Sequence, residues 1–129
     1  MNLKSIAGML VCLVILTLTS SFTPASSVKK FSPAGSWTYS VPGVPEGYET
    51  GTMIISETGN VLKVTLQLNE YYSVEAEKVV YNKKNLSFSV WVESEEVIIT
   101  GMFEENTFNA ILSYSEGEFE LTATRNPSE

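Results

Sequence analysis

Gly35-Ser36-Trp37-Thr38-Tyr39-Ser40-Val41 opens the first strand-like segment of this chain, and Glu118-Phe119-Glu120-Leu121-Thr122-Ala123-Thr124-Arg125 closes the last. Both alternate apolar and polar residues, the pattern of a strand with one buried face. Trp37 and Tyr39 share the inward parity of the first segment, and Phe119, Leu121 and Ala123 that of the last. Arg125, the only arginine of the chain, falls on the same inward parity. A guanidinium turned inward needs compensation, which stacking on the Trp37 indole and donation to terminal carbonyls would supply.

Working outward from these ends, the alternation recurs between regularly spaced turn residues and predicts eight strands. They run Ser36 to Val41, Thr50 to Glu57, Val61 to Leu68, Tyr72 to Tyr81, Leu86 to Val92, Glu96 to Phe103, Thr107 to Tyr114 and Glu118 to Arg125. Turns are expected at Thr58-Gly59-Asn60, Asn69-Glu70, Asn82-Lys83-Lys84-Asn85, Ser94-Glu95, Glu105-Asn106 and Ser115-Glu116-Gly117. Connections this short favour an up-and-down meander. In a meander only an even strand number returns the last strand's end to the level where the first began, so eight strands bring Arg125 beside Trp37. The predicted fold class is all-β, an eight-stranded antiparallel up-and-down β-barrel. The expected interior includes Met53, Ile55, Leu66, Phe88, Val90, Ile99, Phe103, Phe108 and Leu121. The fourth segment is irregular: Val74, Ala76, Val79 and Val80 do not keep one parity, and a bulge near Lys78 would reconcile them.

Gly-x-Trp on the first strand, a Pro-rich loop leading to Tyr48-Glu49-Thr50-Gly51, and an arginine on the last strand resemble the lipocalin-like (calycin) barrels, in particular small secreted bacterial members. The resemblance implies that Trp37 and Arg125 are a structural closing pair, and that the loop after strand one lies at the mouth of a ligand cavity. Lipocalins are generally longer, with a flanking helix and commonly a disulfide, none of which is legible here. An eight-stranded barrel can be filled by side chains or hold one small ligand, so the resemblance leaves both interiors open.

Residues 1–27 have the three-part layout of a secretory signal: Lys4, the apolar run Ile6 to Leu18, and the small, polar Thr19 to Ser27. Cleavage after Ser21, Ala25 or Ser27 would leave an N-terminal extension (28–34), a barrel domain (35–126) and a short tail (127–129). Cys12, the sole cysteine, lies inside the apolar run between Val11 and Leu13, surroundings that do not match a lipoprotein site. A periplasmic or secreted location is expected. All 15 acidic residues are Glu, there is no His, and the net charge is −7. Such a surface disfavours nucleic acid and anionic headgroups and favours cationic partners.

Without His or Asp, and with no cysteine past the leader, the common catalytic triads and most zinc sites are excluded, so no catalytic residue, metal or cofactor is predicted. Strand parity gathers an acidic, tyrosine-bearing rim at the end opposite Trp37 and Arg125: Tyr48, Glu70, Tyr71, Tyr72, Glu93, Glu95, Glu96 and Tyr114. Two readings follow. In the first, a small apolar molecule enters at this rim and sits among Leu66, Phe88 and Phe108, in an open cavity of the usual ligand-pocket scale. In the second, the barrel is solid and the acidic loops bind a cationic protein, for example a basic extracytoplasmic enzyme that the module inhibits. Ile54, Trp91, Ile98, Met102 and Ile111 face outward, and a homodimer through Trp91 and Ile98 is the use that patch would serve.

Overall fold

The computed structural model describes residues 30–127, and its nine antiparallel strands all lie within the compact unit Ser32–Glu129. The leader reading of residues 1–27 lies outside the described residues. The strands are β1 (Gly35–Ser40), β2 (Thr50–Thr58), β3 (Val61–Asn69), β4 (Tyr72–Glu75), β5 (Glu77–Asn82), β6 (Asn85–Val92), β7 (Glu95–Glu104), β8 (Thr107–Tyr114) and β9 (Gly117–Arg125). They form one sheet in the order β4-β3-β2-β1-β9-β8-β7-β6-β5. Every neighbour is also a neighbour in the chain except β1 and β9, whose pairing joins the two ends of the meander. The result is a nearly closed, up-and-down barrel.

The expected count of eight strands is corrected to nine. The segment read as a single strand from Tyr72 to Tyr81 is broken at Ala76 and serves two different neighbours. Its first half pairs with β3, up to the Ala76 amide, which donates to the Val64 carbonyl at 2.9 Å. Its second half pairs with β6, beginning with Glu77 opposite Ser89. The register slips by one between Glu77 and Val80, and Lys78 adopts a left-handed φ of 55°. The extra residue moves the inward parity from Val74 and Ala76 to Val79 and Tyr81 and leaves Val80 exposed. This corner is how the barrel turns back on itself.

The core follows the alternation. Trp37, Tyr39, Met53, Ile55, Val64, Leu66, Phe88, Ile99, Phe103, Phe108, Leu121 and Ala123 are all buried, whereas Ile54, Trp91, Ile98, Met102 and Ile111 are exposed. At one end the interior is solid. The Trp37 and Phe103 rings lie 4.9 Å apart and the Phe103 and Phe108 rings 4.5 Å apart, filling the barrel's width. Arg125 pairs with Trp37 in register and holds its guanidinium carbon 4.6 Å from the indole centroid. That guanidinium donates to the carbonyls of Ala34 (2.7 Å) and Ser32 (2.9 Å) and to Asn106 Oδ1 (3.0 Å), while Trp37 Nε1 donates to the Pro33 carbonyl at 3.0 Å. Each guanidinium nitrogen therefore has an acceptor, and the indole N–H has its one partner.

Candidate functional site

At the other end the strands splay around a cavity of about 310 Å³. Its walls come from inward positions of six strands: Tyr39 on β1, Leu66 and Leu68 on β3, Val90 and Val92 on β6, Val97 and Ile99 on β7, Leu112 and Tyr114 on β8, and Leu121 on β9. Val44, Pro45 and Tyr48 of the β1–β2 loop, with Glu93 and Glu95 of the β6–β7 hairpin, complete it. The volume is at the small end of ligand pockets, and the lining is mostly apolar. The interior is thus packed with aromatic rings around Trp37 and leaves this cavity toward the β1–β2 loop.

The rim residues predicted from parity divide. Tyr48, Glu93, Glu95 and Tyr114 line the cavity; Glu70, Tyr71, Tyr72 and Glu96 do not. Tyr48 donates its hydroxyl to Glu93 Oε2, which draws the long β1–β2 loop against the β6–β7 hairpin. This bond to a carboxylate, with desolvation, the Glu93 charge and the nearby Tyr72, raises the Tyr48 phenol above its ordinary pKa. Glu93 occupies a left-handed position (φ 50°), as does Ser94 (φ 69°), in a two-residue turn that ordinarily prefers Asn and Gly. Ser115 donates to Glu95 Oε2 at 2.5 Å. Tyr114 stacks on Phe119 with centroids 5.6 Å apart.

The residues outside the cavity have local reasons to be there. Glu96 follows Glu95 in an extended strand and so faces the opposite way, where its carboxylate meets Lys78 Nζ at 3.1 Å. Tyr71 is 90% exposed at the tip of the β3–β4 hairpin, its amide donating to Asn69 Oδ1 at 2.8 Å. Glu70 sits in the same exposed turn. Of the three interior residues expected around a ligand, Leu66 lines the cavity, but Phe88 and Phe108 do not. Phe108 stands next to the Glu105-Asn106 turn and belongs to the aromatic plug; Phe88 is buried outside the cavity wall.

Tyr39 was legible as an interior residue and not as a site residue. It is 3% exposed and lies across from Gly51, where a Cβ would come within 2.5 Å of the Tyr39 hydroxyl. Glycine at 51 therefore makes the space that the phenol fills. The hydroxyl has no hydrogen-bond partner among the described residues, and burial pushes its pKa up to about 12. The signal was present in the Tyr48-Glu49-Thr50-Gly51 stretch, but it becomes a reading only once β1 and β2 are set in register.

A stability prediction follows. The folded protein holds the Tyr39 proton longer than the unfolded chain does. Its stabilising contribution is therefore complete below pH 10 and is lost as pH rises toward 12. The loss should be on the order of 2–3 kcal/mol. Tyr39→Phe should unfold with a visibly smaller alkaline dependence and be no less stable at pH 7, because the hydroxyl removed makes no hydrogen bond to another described residue. Urea titrations of both proteins at pH 7, 10 and 11.5, the pH values being set around the ordinary and raised pKa, check this; equal slopes against pH would refute it.

Compared with protein-family models and with curated proteins, the chain matches none. The fold defines its class: an all-strand, nearly closed antiparallel barrel, compatible with a lipocalin-like fold.

Proposed function

We propose that this protein is a non-catalytic, extracytoplasmic binding protein of the lipocalin-like kind that takes a small, largely apolar molecule into the barrel's open end. The observation that carries the reading is the cavity of about 310 Å³, walled by aliphatic side chains and reached past the Tyr48 and Glu93 loops. Lipocalin-like membership is supported by Gly35 and Trp37 on the first strand and by Arg125 stacked on that tryptophan from the last. The leader-like residues 1–27 support export to the periplasm or the medium. An inhibitor-type module built on a solid barrel fits less well, because the interior is filled only around the aromatic plug.

Native mass spectrometry of the purified protein, followed by organic extraction, tests the proposal: a bound small apolar molecule is the expected result. Leu112→Trp should abolish that binding by filling the cavity, at a cost of about 1–3 kcal/mol in stability for the added volume. A Leu112→Trp protein that folds and still carries the same molecule would overturn the assignment of the site.

A further inference from the structure

Charge and hydrogen bonding around the cavity are unequal in kind. Its lining holds two carboxylates, Glu93 and Glu95, and no lysine or arginine. Each carboxylate meets a hydroxyl, from Tyr48 and from Ser115, and a hydroxyl does not neutralise it. The aromatic rings of Tyr48 and Tyr114 also line the cavity, with Glu93 and Glu95. A carboxylate pair among aromatic faces is the chemistry that recognises ammonium groups. The cavity wall holds a second, independent feature: Tyr39, 3% exposed, whose hydroxyl lies against Gly51 and makes no hydrogen bond to another described residue. That hydroxyl borders the cavity and is available to donate to an acceptor on a bound molecule.

Resting on the binding function proposed above, we infer that the ligand is an apolar molecule with a cationic ammonium group, held at the mouth by Glu93 and Glu95 between Tyr48 and Tyr114, and with a hydrogen-bond acceptor at its buried end facing Tyr39. The lining also includes the aliphatic Leu66, Leu68, Val97 and Ile99, which offer no polar side-chain group. Anionic amphiphiles such as fatty acids are disfavoured, since their carboxylate would either meet Glu93 and Glu95 at the mouth or be desolvated at the bottom.

Calorimetric titration of the purified protein with three probes of equal chain length, octyltrimethylammonium, octanol and octanoate, separates the possibilities. The ammonium should bind about 5- to 10-fold more tightly than the alcohol, and octanoate more weakly than both. Since Glu93 and Glu95 are exposed, about 0.5 M salt should shrink the preference for the ammonium. Glu93→Gln with Glu95→Gln should erase that preference, the ratio of ammonium to octanol affinity falling to about one. An analogue of the ammonium probe with a ketone near the far end of its chain should gain about 3- to 10-fold over the parent, and Tyr39→Phe should remove the gain. Equal affinity for all three probes, or tightest binding of octanoate, would overturn this inference and leave the binding function standing. Binding of none of them, with no molecule extracted from the purified protein, would overturn both.

Discussion

Trp37→Ala is expected to lower the unfolding free energy by about 3–5 kcal/mol, the range for deleting a large aromatic from a core. Trp37 is fully buried, lies against Phe103, and is the surface on which the Arg125 guanidinium rests. Alanine would leave a void beneath a charged group whose hydrogen bonds to Ala34, Ser32 and Asn106 hold it in place. Neither neighbour can easily close that gap. Equilibrium urea denaturation measures the loss, with an unchanged slope if only the folded state is affected. Trp37→Phe should recover more than half of it, because the ring face survives and only the bond from Nε1 to Pro33 is lost. A loss below about 1 kcal/mol for the alanine variant would show that the closed end contributes little to stability.

Gly101→Ala should be nearly as damaging, for the opposite reason. A Cβ at this position would come within 2.4 Å of both the Ala110 Cβ and the Asn109 carbonyl oxygen, and 2.6 Å of the Ala110 Cα. Two of these three are backbone atoms of β8, so no rotamer change relieves them. β7 and β8 would have to separate where Gly101 pairs with Ala110. The cost is about 3 kcal/mol, at the upper end of ordinary overpacking. For a barrel of this size it should appear as a fall in Tm on the order of 10 °C or more. Adding Ala110→Gly should restore part of the loss by removing the Cβ–Cβ clash, but not the part due to Asn109. An unchanged Tm for Gly101→Ala would refute the close approach of these strands.

Much of this architecture was legible because a two-residue period assigns faces without knowledge of the partner strand. It separated Ile99 and Phe103 from Ile98 and Met102, and it placed Arg125 on the side of Trp37. It failed where one segment serves two neighbours. The mixed parity of Val74, Ala76, Val79 and Val80 placed a bulge near Lys78, where the register slips and the backbone is left-handed, but it did not show the break at Ala76. For the site, period two tells inside from outside but not height along the axis. Phe108 and Leu66 have the same inward character, yet one closes the bottom with Phe103 and the other walls the cavity. Tyr39 was hidden for a related reason. Its phenol acquires meaning from Gly51 across the strand pair, a relation of register.

The pairing of β1 with β9 bears on how such a chain reaches its native state. All other strand pairs join chain neighbours, through short turns except for the longer β1–β2 loop, so they can form early and locally. Uniting the ends requires closing nearly the whole sheet: Thr38 Oγ1 donates to Asn126 Oδ1 across a sequence separation of 88 residues. Until that happens, β1 and β9 are bare edges able to recruit strands from other molecules. Arg125, with its acceptors on residues 32, 34 and 106 and its place over Trp37, rewards the correct ring closure over an intermolecular one.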